Sequence, residues 1–405
     1  MNIMLLGNGF DLHHKFLTNY IDFLHIVNFL LKHEEDCFTT VGEVLKNKEL
    51  QDENDYIRDS YSLHHNVYDK ILLTPEFHHK IVGWAKSNLW FNYFLGSISR
   101  DIGWIDFEKE IGVVLQAFDA FLGAKQKFDI RDGKFRFNLA EHPERHRDRF
   151  IIQQFGFFFE REQNPFNGAP GTNIQVVDKK YILERPKKSR CWILHEDGII
   201  DVLFESLRHL AKMLQLYLKN FVDEPASLIE KQNIRHRCAS YPMPNHVFTF
   251  NYSNTFELLY GNASVEHVHG NVDKDIVLGI NPDERDELMQ LDTTFIQFKK
   301  YFQRVFFKTD DSYLNKIQAL NQTRKYDNGY SLYVIGHSLD ITDQDIIIDL
   351  FDLSNRIFIL YHSSNAVKTY IKNLVSIFGK RGFDDLRRNK NLTFLKQAEM
   401  EWENE

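Results

Sequence analysis

The sequence predicts an α/β protein: a mostly parallel sheet with helices on both faces, and a large, mainly helical insertion after the first strand. Three observations predict it. From residue 245 onward, short apolar runs alternate with stretches of helical spacing, the pattern of buried strands joined by covering helices. The chain opens on another apolar run, residues 2–6, which ends in a Gly-x-Gly turn. Between these parts, apolar residues recur mostly at intervals of three and four, as on one face of a helix.

In chain order, residues 2–6 read as a buried strand, followed by a phosphate-type loop at Gly7-Asn8-Gly9. Residues 18–33 read as a helix capped by Thr18, with Ile21, Phe23, Leu24, Val27, Phe29 and Leu30 on one broad face. Residues 34–70 are polar and read as helix and surface loop. Residues 76–122 are aromatic-rich at helical spacing. Residues 128–200 carry short alternating stretches and the turn-like run from Asn164 to Gly171, so some strand character is expected there. Leu203, Leu207, Leu210, Leu214, Leu218 and Phe221 mark a strong amphipathic helix that Asp223-Glu224-Pro225 should end. Five apolar runs then begin at His246, Val265, Ile276, Ser331 and Arg356. A helix capped by Thr342, with Ile346, Ile347, Leu350 and Phe351 inward, separates the last two. Another helix over 365–378 closes at Gly379. The nucleotide-binding core is therefore expected at 1–33 and 245–390, the insertion at 34–244 with its strand-bearing segment near 128–200, and a tail at 391–405.

The 405 residues give room for two to three domains of ~150 residues, or for one large unit with insertions. A hydrophobic fraction of 43% with 35 phenylalanines supports a sizeable core, and the net charge of −8 gives no strong nucleic-acid signal. Cys37, Cys191 and Cys238 are an odd count without paired spacing, which points to a reducing compartment and away from a cysteine zinc module. No basic leader and no apolar run of ~18 residues occur, so a cytoplasmic protein without a membrane span is expected.

The unusual residues share a position: each group follows an apolar run. Gly7, Asn8, Gly9, Phe10 and Asp11 follow the first; Asn251 to Asn254 follow the second; His269-Gly270-Asn271 follow the third. Gly336, His337, Ser338, Leu339 and Asp340 follow a later one, and His362 follows the last. In open parallel sheets, ligands bind outside the carboxyl ends of the strands, so these groups should line one nucleotide crevice. Gly7 and Gly9 would bring backbone and helix-start amides close to a phosphate. Leu12 stands where a full dinucleotide fingerprint has a third glycine; a tight turn without a ligand is the competing reading. No P-loop motif exists. Gly336-His337-Ser338 begins like a nucleophile elbow, but Asp340 takes the place of its closing glycine. His267 and His269, two apart on one expected strand, have metal-ligand spacing without a placed third ligand. One catalytic histidine, His269, beside a buried partner is the simpler use. Asp106 and Glu108 read as a solvated helix start. The pairs His13-His14, His64-His65 and His78-His79 read as surface features, the first lying near the Gly7 loop.

Gly7-Asn8-Gly9-Phe10-Asp11, Phe250-Asn251-Tyr252-Ser253-Asn254-Thr255, His267-Val268-His269-Gly270 and Ile335-Gly336-His337-Ser338-Leu339-Asp340 resemble the AbiH family, bacterial proteins of phage abortive infection. The same motifs, in the same order, are similar to the sirtuin-like NAD-binding fold, a Rossmann-like sheet. That resemblance implies NAD as substrate or ligand, with Asn251 and His269 acting at the nicotinamide ribose. Gly7, Gly9, Gly336 and Ser338 would surround the phosphates and adenosine. Ser253 stands where the sirtuin pattern usually has an acid, and the cysteines cannot build the deacylase zinc module, so protein deacylation is not expected. The implied activity is hydrolysis of NAD, or of a related nucleotide, at the nicotinamide–ribose bond. The alternatives are a non-catalytic nucleotide-sensing defence module, which Ser253 favours, and a metal-dependent nuclease built on His267, His269, Asp106 and Glu108. Expected partners are a nucleotide, a phage-derived trigger or partner defence protein, and further copies of the chain in a homo-oligomer. No metal is expected under the first reading.

Overall fold

Asn2–Leu6 (β1) is apolar on both pleat faces, so it suits only the middle of a sheet. In the computed structural model it lies there. The described chain omits residues 37, 99–105, 124–128, 132–133, 137–145, 157, 163–173, 178–194, 232–242, 262, 281–292, 324–328 and 398–405. The three cysteines and the turn expected at 164–171 therefore fall outside the described residues. Five further strands join β1: His246–Thr249 (β2), Ser264–His267 (β3), Tyr330–Ile335 (β4), Ser354–Tyr361 (β5) and Thr393–Lys396 (β6). All pairings are parallel, and the order across the sheet is β3-β2-β1-β4-β5-β6, the Rossmann order. Leu6 stands level with Thr249 on one side and Ile335 on the other, so three strands end at the same height.

Both faces of the sheet are covered. Ile3, Leu5, Phe248, Leu332, Val334, Ile357 and Ile359 share one core with Ile346, Ile347, Leu350 and Phe351. Met4, Leu6, Val247, Ile335 and Leu360 share the other with Phe10 and Phe256. The alternation of Ile3 and Leu5 with Met4 and Leu6 is the two-residue period of a strand, and burial on both sides explains the unbroken apolar run.

The chain divides into two compact units. One holds Met1–Gly83, Ala211–Val277 and Lys300–Glu405; the other holds Trp84–Leu210 and Leu278–Lys299. The boundaries differ from those expected at 33/34 and 244/245, because residues 34–83 and the helical segment after 211 associate with the sheet. The second unit is built on aromatic contacts. Trp90 meets the ring of Phe155 at 5.0 Å and donates its indole N–H to the Leu203 carbonyl at 2.8 Å, and Phe94 stacks on Phe107 at 4.1 Å. Its strand content is two antiparallel ribbons, Asp129–Arg131 with Lys134–Arg136 and Phe158–Glu162 with Ile174–Val177.

Several local expectations are corrected. Thr393–Lys396 lies in the segment expected as a tail; a four-residue edge strand, mostly exposed, has no alternation to betray it. Residues 276–279 form no strand. Ile276 and Val277 are buried, but the Val277 N–H donates to the His269 carbonyl and its own carbonyl accepts from the Tyr252 hydroxyl, both from loops. Asn19, not Thr18, caps the helix Tyr20–Lys32, and Asp340, not Thr342, caps the short 3-10 turn Ile341–Asp343. Pro225 ends nothing: a π-helical turn, Lys219–Asp223, leads straight into Glu224–Lys231, where Pro225 sits in the first turn and needs no amide hydrogen. Among the described residues no helix is long and apolar enough to cross a membrane.

Candidate functional site

In a sheet of this order the connectivity reverses between β1 and β4, and the loops leaving those two strands meet at the switch point. Here they interlock. The Gly7 N–H donates to the Ile335 carbonyl at 3.1 Å and the Gly9 N–H to the Gly336 carbonyl at 2.8 Å. A Cβ on Gly7 would lie 2.5 Å from His337 Cα, one on Gly9 2.7 Å from Gly336 Cα, and one on Gly336 2.1 Å from the Phe10 nitrogen. Gly336 also has φ +67°, where an L side chain is strained. The glycines are therefore accounted for by two backbones in contact. The amides expected to face a phosphate are partly engaged, Gly9 as above and Phe10 to the Gly7 carbonyl at 2.8 Å. The helix they begin, Asn8–His13 (α1), is only six residues long. Gly336→Ala should cost about 2–3 kcal/mol, from the left-handed backbone and the overpacking together. Urea unfolding measures it, and a variant within about 0.5 kcal/mol of the parent would contradict the interlock.

Phe10 is core, tilted against Phe256 at 6.0 Å and Tyr260 at 5.9 Å, and Asn8 is exposed. His14 and His64 are buried rather than on the surface. His14 bonds the Phe10 carbonyl at 2.8 Å and the Tyr260 hydroxyl at 2.6 Å, while His64 donates to the His14 carbonyl at 2.9 Å. These are structural histidines.

Asn251 leaves β2 and turns its amide to the Gly7 carbonyl at 3.1 Å, which ties the second strand end to the interlock. Two residues on, the Ser253 hydroxyl donates to Asp11 of α1, and the Thr255 hydroxyl donates to Ser253 at 3.1 Å. Thr255 begins a short helix, Thr255–Leu259 (α2). Burial pushes the Asp11 carboxyl up to about 7, against the hydrogen bonds from Ser253, Thr255 and Asn251, which pull it down. Burial likewise raises Asp223 to about 8, although the Asn254 N–H donates to it at 3.0 Å. This side of the strand ends is a buried acid cluster.

The other side is organised by one carboxylate. Asp343 stands between the 3-10 turn and the helix Gln344–Leu353, and its side chain makes no capping bond to that helix. It accepts instead from Lys300 Nζ at 2.8 Å and from His269 Nε2 at 3.1 Å, with His337 Nε2 at 3.5 Å. Lys300 opens the helix Lys300–Phe307 (α3); the helix Gln344–Leu353 is α4. The Lys300 ammonium and the two imidazoles hold the Asp343 carboxyl well below the usual range despite its burial. His337 is fixed in one tautomer, since its Nδ1 accepts from the Leu339 N–H at 2.9 Å. His269 is 3% exposed. Its Nε2 is held by Asp343, and among the described residues its Nδ1 has no hydrogen-bond partner. Burial first, then the Lys300 charge, lowers the ring to about 4, so it is neutral near pH 7 and Nδ1 carries a free lone pair. Phe250 flanks both rings, 5.1 Å from His269 and 4.3 Å from His337. One turn along α3, Arg304 pairs with Asp345 through Nη2, while its Nη1 has no partner among the described residues.

The structure thus gathers Gly7, Gly9, Gly336, Asn251 and Asp11 into one set of contacts, and His269 and His337 into another on Asp343. His337 belongs to both, since its backbone abuts Gly7. Ser338 and His362 are exposed, and neither side chain joins these contacts. The strand ends at His267, so His267 and His269 do not share a strand face. His267 bonds Glu257 at 2.6 Å and the Asn251 carbonyl at 3.0 Å, whereas His269 turns to Asp343. Among the described residues no three His, Cys, Asp or Glu side chains gather as metal ligands. Sequence reasoning missed Asp343, Lys300 and Arg304. The usable signal was Lys300-x-x-x-Arg304 set among Tyr301, Phe302, Val305 and Phe306: two cations on one helical face, opposite an apolar one.

A family model described as bacteriophage abortive infection AbiH matches residues 3–361. No curated protein and no solved structure matches the chain.

Proposed function

The chain belongs to the AbiH family of bacteriophage abortive-infection proteins, and from that premise we propose that it acts by hydrolysing NAD, or a related nucleotide, at the nicotinamide–ribose bond. The observation that carries this reading is His269, a buried neutral imidazole with Nε2 held by Asp343 and a lone pair left on Nδ1. That is the state a general base needs before it takes a proton. Water would add to ribose C1′ as the bond to nicotinamide breaks. Nicotinamide leaves with the bonding electrons, and the proton of the water passes to Nδ1. The leaving group is good and the transition state is oxocarbenium-like, so orientation and desolvation carry much of the work. Asn251 serves as a positioning residue through its bond to Gly7. The order of Gly-x-Gly, Asn, His-Gly and Gly-x-Ser-Leu, similar to the sirtuin-like pattern, supports NAD as the nucleotide.

His269→Ala should lower nicotinamide release by about 10²–10⁴ in a chain that circular dichroism shows to be folded, with a lower melting temperature from the lost hydrogen bond to Asp343. Because the ring is lowered to about 4, activity should fall only as pH drops toward that value, with the base already free at neutral pH. Infected cells that are protected while their NAD stays intact would exclude the hydrolytic reading. One observation favours a second reading, a nucleotide sensor without turnover. Lys300 shares the Asp343 oxygen with His269, so the carboxylate lends the ring little basicity. A ligand-induced rise in melting temperature with no nicotinamide released would select it.

A further inference from the structure

The helix α3 is built inside out. Lys300 is 1% exposed and Arg304 5%, while Val305 is 65% and Phe306 58% exposed. A helix that docks by its apolar face would show the reverse. The two cations it buries meet different carboxylates. Asp343 is buried with them, but Asp345, the partner of Arg304, has a side chain 47% exposed at the margin of the cluster. Among the described residues, Asp343 is the buried carboxylate of the cluster, with His269 and His337 as the other titratable groups on it. Arg304 Nη1 is buried and has no acceptor among the described residues. A desolvated guanidinium N–H without an acceptor is costly, and an oxyanion is the group that satisfies it, since the planar fork suits phosphate oxygens.

We propose that Lys300 and Arg304 form an anion subsite beside His269, filled by a phosphate or pyrophosphate group of the ligand. Its assignment to a nucleotide rests on the hydrolytic or sensing reading above; its preference for an oxyanion does not. The subsite supplies what the Gly7 loop lacks, since the Gly9 and Phe10 amides are engaged within the protein. It also gives ligand binding a second effect. An anion placed against Lys300 and Arg304 cancels part of the positive field on His269, so the ring becomes a stronger base once the ligand is bound.

The test is calorimetric titration of the full chain with inorganic pyrophosphate and, separately, with ADP-ribose, at low and high salt. Binding to the parent chain should weaken as salt rises. Arg304→Gln should bind pyrophosphate at least tenfold more weakly. Asp345→Asn, which removes the competing carboxylate from Arg304, should bind it more tightly, a gain that misfolding cannot produce. No pyrophosphate binding by the parent or by D345N, or equal binding by all three chains, would overturn the subsite. Nicotinamide release is read on the same samples. Pyrophosphate binding without release leaves the subsite standing and removes hydrolysis. Release with an unchanged KM in R304Q, and no pyrophosphate binding, does the opposite.

Discussion

Replacing Asp343 with asparagine should destabilise the folded chain by about 3–5 kcal/mol, the range for a buried ion pair that loses one partner. The carboxylate accepts from Lys300 at 2.8 Å and from His269 at 3.1 Å, and faces His337 at 3.5 Å. Asparagine keeps one acceptor oxygen and turns two N–H donors toward groups that are themselves donors. The Lys300 ammonium then loses the buried carboxylate it donates to. Removing both partners together, as Asp343→Asn with Lys300→Met, should recover most of the loss, because no buried charge is then unpaired. Denaturant curves on the parent, the two single variants and the double variant measure this. A D343N chain within about 0.5 kcal/mol of the parent, or a double variant no better than D343N, would refute the hub. The acid side follows from the same carboxyl. Its folded-state pKa is depressed, so its contribution is present above about pH 4 and is lost as pH falls below the unfolded value toward the folded one.

The acid cluster near β2 should act in the opposite sense. Asp11 rises from 3.8 to about 7 and Asp223 to about 8, each through burial. The folded chain therefore binds more protons than the unfolded chain, and stability declines as pH rises from about 4 to about 8. For Asp11 alone the change corresponds to about 4 kcal/mol over that interval. Asp11→Asn fixes the uncharged state while keeping an oxygen for the Ser253 hydroxyl. Its stability relative to the parent should rise by about 2 kcal/mol between pH 5 and pH 7. It should also ease the ionisation of Asp223, which the Asp11 charge opposes. Parallel unfolding curves at the two pH values test this, and a difference between D11N and parent that does not change with pH would sink it.

The sheet was legible where burial wrote a pattern. β1 and β4 are apolar on both faces, and their ends marked Gly7 and Gly336, as the end of β3 marked His269. β6 was not legible, because an exposed edge strand carries no alternation. The run at 276–279 misled for the converse reason: it is apolar and buried, but its hydrogen bonds go to loops. His362 follows a strand like the others, yet it lies exposed where Ser363 caps the helix that starts at Ser364 and breaks, as expected, at Gly379. The Asp343 hub was hidden by a rule that usually works. Charged residues on an amphipathic helix are read as its wet face, and α3 reverses that assignment. A lysine thirty-one residues beyond His269 gives no local sign that both will meet one aspartate.

The glycine interlock has a mechanical consequence. With Gly9 bonded to Gly336 and Gly7 to Ile335, the ends of β1 and β4 behave as one stiff block, and His337 rides on it. Asn251 braces the end of β2 against the same block. The helix α3, by contrast, rests on charge pairs and turns Val305 and Phe306 to the solvent. Salt should therefore loosen α3 first at the Arg304–Asp345 pair, whose aspartate is half exposed, and reach the buried Lys300–Asp343 pair much less.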